Sequence, residues 1–455
     1  MMRSMSPEQR DSFTYLCEEF KKYNYINGDD WVKYDVKRGL RNANGTGVLA
    51  GLTSICDVVG YEMVDGVRVP SEGKLIYRGI DVADMVSSSQ RENRYIFEEV
   101  VWLLLFGSLP TPDELKLFRV VMADLRELPE GFAEDTIMKA PSPNVMNTMA
   151  RSVLALYSYD DYSEDRSLEN ALYQAVSLIS CAPTIMVASY QVKRRAFDKR
   201  SMYFHQLKHE YSCAQNILRT NRSNKSFTEA EAHLLDLCLV LHADHGGGNN
   251  STFTTRVLTS TGTDTYSAIS AAIGSLKGPK HGGANIKVME MLDYMKEGIK
   301  DPCDDEEIKL FLTKLLNGEA GDGSGLIYGI GHAVYTKSDP RAVILRQNLE
   351  PLAIEKGLTD DFRLLCAVER LAPQLVSDIK GVRNSCANVD LFSGLVYKTM
   401  NIPVDLYTPL FAVARMAGWC AHRVEEMMFG NRIIRPAYKY LGVERKYVPL
   451  AERTL

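Results

Sequence analysis

The chain has 455 residues, of which 45% are apolar and 24% charged, the balance of an ordinary globular protein. At roughly 150 residues per domain, this length corresponds to about two or three domains. The formal net charge of −5 excludes a general electrostatic affinity for nucleic acid or for an acidic membrane, so an anionic ligand must be held by a few placed cations.

Helix start signals recur along the chain. Ser6-Pro7-Glu8-Gln9 places a capping serine, a proline at the first helical position and a glutamine at the third. Thr111-Pro112-Asp113-Glu114 repeats this pattern, and Thr228-Glu229-Ala230-Glu231 opens a helix that we expect to run to Leu241. We predict further helices over residues 97–106, 114–126, 168–180, 265–276, 285–297, 306–316, 340–350, 362–371 and 407–428.

Strand signals are confined to one place. Val67-Arg68-Val69 and Lys74-Leu75-Ile76-Tyr77 are typical of short strands, and the turn residues Asp65-Gly66 come just before them. No uninterrupted apolar run is longer than residues 100–106, whereas a membrane-spanning helix needs roughly 20 residues, so we expect no membrane span. The sequence therefore predicts an all-α protein with one short β element.

The cysteines and the first residues of the chain bear on the cellular compartment of the protein. The chain has nine cysteines and no Cys-x-x-Cys pair, which argues against a zinc ribbon, a dithiol redox site or a disulfide scaffold. Buried thiols in a reducing compartment fit this pattern better. The first residues include Glu18 and Asp30 and contain no apolar signal core, whereas transit peptides avoid acidic residues. We therefore expect a cytoplasmic protein.

Three common nucleotide and hydrolase motifs are absent from the sequence. There is no Gly-x-x-x-x-Gly-Lys-Ser/Thr loop and no Gly-x-Ser-x-Gly elbow. Gly321-Asp322-Gly323-Ser324-Gly325-Leu326 lacks the last glycine of a dinucleotide fingerprint. Nicotinamide chemistry, P-loop phosphoryl transfer and α/β-hydrolase chemistry are therefore disfavoured.

Several of the eight histidines lie in three glycine-containing segments, which are Leu241-His242-Ala243-Asp244-His245-Gly246, Pro279-Lys280-His281-Gly282-Gly283-Ala284-Asn285 and Gly329-Ile330-Gly331-His332-Ala333-Val334-Tyr335. Glycine lets a backbone or a ligand approach closely, so three such segments in one chain indicate a functional site. His242, Asp244 and His245 could instead hold a metal ion. Neither a His-Glu-x-x-His helix nor a cysteine cluster accompanies them, and we predict no metal.

Two charged residues stand among apolar neighbours. Asp390, between Val389 and Leu391, is either a general base with a raised pKa or a helix cap for residues 391–400. Arg415 interrupts a long apolar stretch, and a buried arginine needs an anionic partner from the protein or from a ligand. On position alone, Arg341 and Arg435 could be surface residues.

Taken in chain order, these segments resemble the citrate synthase family. The resemblance covers roughly residues 37–442, and its motifs stand in family order, whereas residues 1–36 match nothing specific. The motifs are Gly39-Leu40-Arg41, Tyr77-Arg78-Gly79-Ile80-Asp81, His242-Ala243-Asp244-His245, Asn250-Ser251-Thr252-Phe253-Thr254, Gly278-Pro279-Lys280-His281-Gly282-Gly283-Ala284-Asn285, Gly331-His332-Ala333-Val334-Tyr335, Asp339-Pro340-Arg341, Asn388-Val389-Asp390, Ser393-Gly394, Ala414-Arg415, Gly418-Trp419 and Arg435-Pro436.

The resemblance implies a helical homodimer with a large domain and a smaller inserted one, and an active site in the cleft between them. We place the large domain at residues 1–282, with an N-terminal extension over 1–36, and at residues 402–455. The small domain then takes residues 283–401. The implied reaction condenses acetyl-CoA with oxaloacetate and hydrolyses citryl-CoA, with no cofactor besides the acyl-CoA substrate and no metal.

The resemblance also assigns roles to single residues. Asp390 is the base that removes a proton from the acyl-CoA methyl group, His281 donates to the forming enol oxygen, and His332 polarises the oxaloacetate carbonyl. The substrate carboxylates are held by His245, Arg341, Arg415 and, from the other subunit, Arg435. Lys337 could contact the CoA phosphates.

Some alternatives stay open within and outside the family. The shared motifs do not distinguish acetyl-CoA from propionyl-CoA, so a 2-methylcitrate synthase is possible, as is a citryl-CoA lyase-type module. A catalytically silent acyl-CoA-binding regulator is disfavoured, because His281, His332 and Asp390 are all present. The glycines at residues 246–248 stand where many family members have an acidic residue, and we expect them to loosen that turn.

Overall fold

The computed structural model describes residues 6–42, 45–65, 67–430 and 432–453, apart from the Tyr23 side chain. The chain divides into two compact units, one formed by Met1–Gly51 with Arg435–Leu455 and the other by Leu52–Ile434. Helix accounts for 59% of the residues and strand for 6%, so the predicted all-α class with a small β element is confirmed. The predicted boundaries at residues 282 and 401 stay a prediction.

The unit formed by the two ends of the chain contains two helices in its described residues. Helix α1 (Pro7–Tyr23) begins at the predicted capping box, in which the Ser6 amide donates to Gln9 Oε1 at 2.9 Å and the Gln9 amide donates to Ser6 Oγ at 3.2 Å. Helix α2 (Gly28–Lys33) follows, and short 3-10 turns lie at Arg38–Leu40 and Leu450–Glu452. Arg435 belongs to this unit and is exposed.

The β element is a small antiparallel sheet at the start of the other unit. Strand β1 (Cys56–Val64) pairs with β2 (Val67–Tyr77), with an irregularity between Val59 and Tyr61, and β3 (Ile80–Asp81) pairs with the end of β2. The sequence predicted only the two halves of β2 and missed β1. Gly66 of the predicted Asp65-Gly66 turn lies outside the described residues.

Fifteen helices follow within the described part of this unit. They are α3 (Val82–Glu92), α4 (Phe97–Phe106), α5 (Pro112–Asp124), α6 (Val145–Ala155), α7 (Leu168–Ala196), α8 (Cys213–Asn221), α9 (Glu229–His242), α10 (Asn250–Thr259), α11 (Thr265–Leu276), α12 (Ala284–Gly298), α13 (Asp305–Asn317), α14 (Pro340–Glu355), α15 (Thr359–Lys380), α16 (Asp390–Thr399) and α17 (Tyr407–Phe429). Shorter turns lie at Ala133–Met138, Leu156–Tyr159 and Val404–Leu406.

The predicted helices are confirmed, although three run further than expected. Helix α7 continues through Pro183 to Ala196, α14 through Pro351 to Glu355, and α15 through Pro373 to Lys380. Proline removes one backbone hydrogen bond of a helix, but burial of the surrounding turns offsets that cost. The sequence missed α2, α3, α6, α8 and α10.

Helix α17 lies at the centre of the larger unit and carries site residues into it. It packs on α4, α7, α9, α10 and α11, and its residues from Tyr407 to Arg423 are buried. Helix α7, by length and composition alone, could cross a membrane. However, 72% of its apolar window is buried inside the protein, as in the core helix of a globular fold.

Candidate active site

His245 lies just after the end of α9, in the turn that the sequence singled out. Its Nε2 atom is buried and has no hydrogen-bond partner among the described residues. Burial lowers the pKa of His245 well below the ordinary value, and the positive charge of Arg341 lowers it further. The imidazole is therefore neutral, and its edge faces the ring of His332 at a centroid distance of 5.1 Å.

His332 is held in one tautomer by its own loop. The backbone amides of Val334 and Tyr335 donate to His332 Nδ1 at 3.0 and 2.9 Å. Because Nδ1 accepts, the neutral ring carries its proton on Nε2. The ring also stacks on Tyr335, with centroids 4.5 Å apart. His332 is thus an oriented N–H donor.

The hairpin of strands β1 and β2 packs against the loop that carries His332. Gly60 of β1 lies so close that a Cβ atom there would be 2.8 Å from Tyr335 Cα, and a Cβ on Gly73 of β2 would be 2.7 Å from Tyr335 Cδ1. The Gly73 amide donates to Ser338 Oγ at 3.1 Å, and the Thr336 hydroxyl donates to the Gly60 carbonyl. The two glycines are needed because any side chain would push the loop away.

Arg341 is buried at the start of α14 and paired with Asp339. Its Nε and Nη2 atoms donate to the two carboxylate oxygens at 3.0 and 2.7 Å. Asp339 also accepts from the Arg341 amide at 3.0 Å, as the N-cap of the helix. The pair uses one edge of the guanidinium and leaves Nη1 for another acceptor.

Arg415 has no carboxylate partner among the described residues, although it is fully buried on α17. Its Nε donates to the His242 carbonyl at 2.7 Å, while Nη1 and Nη2 are buried without a hydrogen-bond partner. Leaving charged donors buried and unpaired is costly. The arrangement is that of an anion site, and a carboxylate fits the forked geometry of the two nitrogens.

Asp390 is the first residue of α16, and the side-chain oxygen of Asn388 accepts from its amide at 3.0 Å. The N-cap of this helix is Val389, so the alternative that Asp390 caps residues 391–400 is wrong. Burial raises the pKa of Asp390 to about 6; the positive charge of Arg341 opposes this rise, and the negative charge of Asp339 adds to it. A carboxylate with such a pKa is a suitable general base near neutral pH.

The segments of His332 and Asp390 are joined by backbone hydrogen bonds. The Gly331 amide donates to the Cys386 carbonyl, and the Asn388 amide donates to the Gly329 carbonyl, both at 2.8 Å. Asn388 Nδ2 donates to the Gly331 carbonyl, also at 2.8 Å. The donor imidazole and the base are therefore fixed relative to each other.

His281 lies before α12, and its Nε2 is 3.1 Å from both Asn249 Oδ1 and Ser251 Oγ. Ser251 in turn accepts from Trp419 Nε1 at 3.0 Å. Burial and, to a smaller extent, the positive charge of Arg415 lower the pKa of His281 to about 4, so the ring is neutral at physiological pH.

The predicted site residues divide into those that lie together and those that do not. One electrostatic cluster contains His245, His332, Arg341, Arg415 and Asp390. The charge of Arg415 also lowers the pKa of His281. Lys337 is exposed, next to the His332 loop, and Arg435 belongs to the other unit.

The sequence reasoning missed the residues that hold these groups in place. They are Gly60, Gly73, Asn249, Tyr335, Asp339 and His422. Asp339 before Pro340 carries a helix-cap signal that could have identified it. Tyr335 lies only three residues after its partner His332, but no pattern in the sequence marks that contact. The partners of the remaining four residues are distant in sequence. Among the described residues, no group of three or more His, Cys, Asp or Glu side chains is arranged to hold a metal ion.

This fold and this arrangement define a class: a helical enzyme in which a buried, unpaired guanidinium lies in one cluster with a neutral imidazole and an ionisable carboxylate. The family model for the citrate synthase C-terminal domain matches residues 42–437. The chain belongs to the citrate synthase family, and it is an acyltransferase.

Individual relatives agree with this. A citrate synthase from Synechocystis sp. is 34% identical over 90% of this chain and 94% of its own. A 2-methylcitrate synthase from Shewanella oneidensis is 32% identical over 87% of this chain and 96% of its own. A solved citrate synthase from Thermoplasma acidophilum, described as a ternary complex with carboxymethyl coenzyme A and oxaloacetate, is 29% identical, with a TM-score of 0.75 over 92% of this chain and 99% of its own.

Proposed function

We propose that this chain condenses acetyl-CoA with oxaloacetate and hydrolyses the resulting citryl-CoA to citrate and CoA. The observation that carries the proposal is the buried Arg415 guanidinium, whose Nη1 and Nη2 lack partners among the described residues. Together with Arg341 and His245, it offers cationic and neutral donors to the two carboxylates of oxaloacetate.

The first chemical step is removal of a proton from the acetyl-CoA methyl group by Asp390. A thioester methyl group is a very weak acid, so the charge that develops on the thioester oxygen must be stabilised. His281 is the donor to that oxygen in this proposal. Its ring is oriented by Asn249 Oδ1 and Ser251 Oγ, each 3.1 Å from Nε2.

The second step forms the carbon–carbon bond. The Nε2–H of His332 polarises the ketone carbonyl of oxaloacetate, the enol carbon attacks it, and the new alkoxide takes the Nε2 proton. Water then attacks the citryl-CoA thioester carbonyl and returns a proton to His332. The carbon–sulfur bond breaks, and the CoA thiolate leaves with the proton held by Asp390. Residues 283–401 act as a small domain whose closure excludes water until citryl-CoA has formed.

The active form is a homodimer in this proposal. Arg435 reaches the substrate of a neighbouring chain, where it completes the anion site, and Lys337 contacts the CoA phosphates. Both assignments rest on the sequence motifs. The cytoplasmic location, the absence of a resident cofactor or metal, and the absence of nucleic-acid or membrane partners stay predictions.

A CoA-release assay tests the reaction, with oxaloacetate and either acetyl-CoA or propionyl-CoA. We expect release that depends on oxaloacetate, with a higher kcat/KM for acetyl-CoA. A higher value for propionyl-CoA would favour the second candidate, a 2-methylcitrate synthase, which the 32% identical relative makes worth testing. No release with either substrate contradicts both.

The role of His332 has its own spectroscopic test. The carbonyl stretching frequency of bound oxaloacetate should be lowered in the unaltered protein and return toward its solution value in His332→Ala. An unshifted carbonyl in the unaltered protein would remove the reason for assigning this role.

A further inference from the structure

A network of buried, hydrogen-bonded polar side chains contacts the turn that carries His245. Asp244 Oδ2 is 3.0 Å from Nε2 of His422 on α17, and Nδ1 of the same ring is 3.1 Å from Nε and 2.7 Å from Nη2 of Arg256 on α10. Arg256 is further paired with Glu425, and with Glu426 at 2.9 Å. The reaction proposed above uses none of these five side chains.

The neighbours of His422 determine its tautomer. A carboxylate can only accept and a guanidinium can only donate, so Nε2 must carry a proton toward Asp244 while Nδ1 accepts from Arg256. A doubly protonated ring would place an N–H against the Arg256 donors. His422 is therefore a neutral, directed link between a buried carboxylate and a buried cation.

Asp244 remains ionised in this setting. Burial raises its pKa, but the hydrogen bonds from His422 and the Gly246 amide and the positive charge of Arg415 lower it below the ordinary value. The Gly246 amide donates to Asp244 Oδ2 at 3.1 Å, so the same oxygen ties the turn to His422.

The network contacts the glycine turn at a second point. A Cβ on Gly247 would be 3.6 Å from His422 Cε1 and 3.5 Å from Arg256 Nε, so the turn lies directly on these two side chains. The turn ends at Asn249, which contacts His281. Residues 246–248 are glycines and have no side chains to hold the turn, whereas Asp244 and His422 contact it. The expectation that the glycines loosen this turn stays a prediction.

We propose that His422 is a positioning residue for the substrate site. By linking Asp244 to Arg256, it holds the turn that places His245 against oxaloacetate and Asn249 against His281. The assignment rests on the proposed function, since it names the substrate whose binding depends on the turn.

Three variants test the proposal. His422→Leu removes both hydrogen bonds, and His422→Gln restores an amide donor for Asp244 and an acceptor for Arg256. The matched control is Arg423→Gln, one residue further along α17, where a buried guanidinium bonds Thr259, Thr263 and Thr265 and does not touch the turn. All three alter buried polar groups of one helix, so a general loss of stability affects each.

The measurements are thermal unfolding, the KM for each substrate, and oxaloacetate binding by calorimetry. We expect His422→Leu to raise the KM and Kd for oxaloacetate by about tenfold or more, the scale of losing a hydrogen bond to a charged group. His422→Gln should recover most of this loss, and Arg423→Gln should lower the unfolding temperature with little effect on the KM for oxaloacetate.

The outcomes separate the two proposals. If the unaltered protein does not bind oxaloacetate, the proposed function fails. If it binds, and His422→Leu binds as tightly as Arg423→Gln, the positioning role is overturned. Should His422→Leu not fold, Asp244→Ala replaces it; this change removes the acceptor for His422 Nε2–H and for the Gly246 amide, and an unchanged KM for oxaloacetate there also overturns the proposal.

Discussion

The Arg341 guanidinium is bound by Asp339 through two hydrogen bonds, at 3.0 and 2.7 Å, and both side chains are buried. Asp339 Oδ2 also accepts from the amide of Val389 at 3.1 Å, one residue before the proposed base Asp390. One carboxylate thus connects the start of α14, which carries the anion-binding arginine, to the start of α16, which carries the base.

This connection predicts a large effect of Asp339→Asn. Removing one charge of a buried pair costs about 3–5 kcal/mol, because the other charge stays buried and uncompensated. We expect a fall of that size in the free energy of unfolding, measured in urea, and a raised KM for oxaloacetate. Glu369→Gln is the control. Its partner Arg346 lies on α14, as Arg341 does, but is part-exposed, so this pair should contribute at most about 1 kcal/mol. Equal losses in the two variants would contradict the prediction.

Asp390→Ala should lower turnover by about 10²–10⁴-fold, the usual scale for a general base, while oxaloacetate still binds. Steady-state kinetics and calorimetry on the same preparation check both halves of this statement. The exposed Asp84→Ala is the control. Condensation at the unaltered rate would exclude Asp390 as the base.

The pH dependence follows from the pKa of about 6 for Asp390. The base must be ionised to accept a proton, so kcat/KM with acetyl-CoA should fall as the pH drops through about 6. Since kcat/KM reports groups of the free enzyme, an acid limb near pH 4 instead would show that burial does not raise this pKa.

Gly60→Ala should impair the His332 loop by steric overlap alone, because the added Cβ would lie 2.8 Å from Tyr335 Cα. Overpacking of this kind costs about 1–3 kcal/mol, and we expect a lower kcat and a weaker shift of the oxaloacetate carbonyl frequency. Gly274→Ala on α11, where no heavy atom lies within 4 Å of the new Cβ, should leave both unchanged. Equal effects of the two substitutions would refute the supporting role of the hairpin.

The proposed sharing of the site between two subunits predicts complementation between inactive variants. Mixing Asp390→Ala with Arg435→Ala should restore activity once subunits exchange, because a hybrid dimer contains one site with both residues intact. Subunit exchange is verified by mass spectrometry of the mixed dimer. Without recovery after exchange, Arg435 must act within its own chain.

The sequence alone determined the helical class, most helix positions and the candidate site residues in the larger unit. Helix starts could be predicted because capping is local: Ser6, Thr111 and Thr228 each bond a residue three positions away. Arg415 and Asp390 were identifiable because a charge within an apolar stretch needs a partner or a function.

Only the tertiary structure decided how these residues are held and which atoms they present. Asp244 and His422 are 178 residues apart in sequence, and no local pattern predicts their pairing. Strand β1 was likewise not predicted, because it is recognisable only through its pairing with β2. Helix α7 continues past Pro183 because the turns around this proline are buried. The proton positions on His332 and His422 follow from the donors and acceptors around each ring, and only the folded chain brings those groups together.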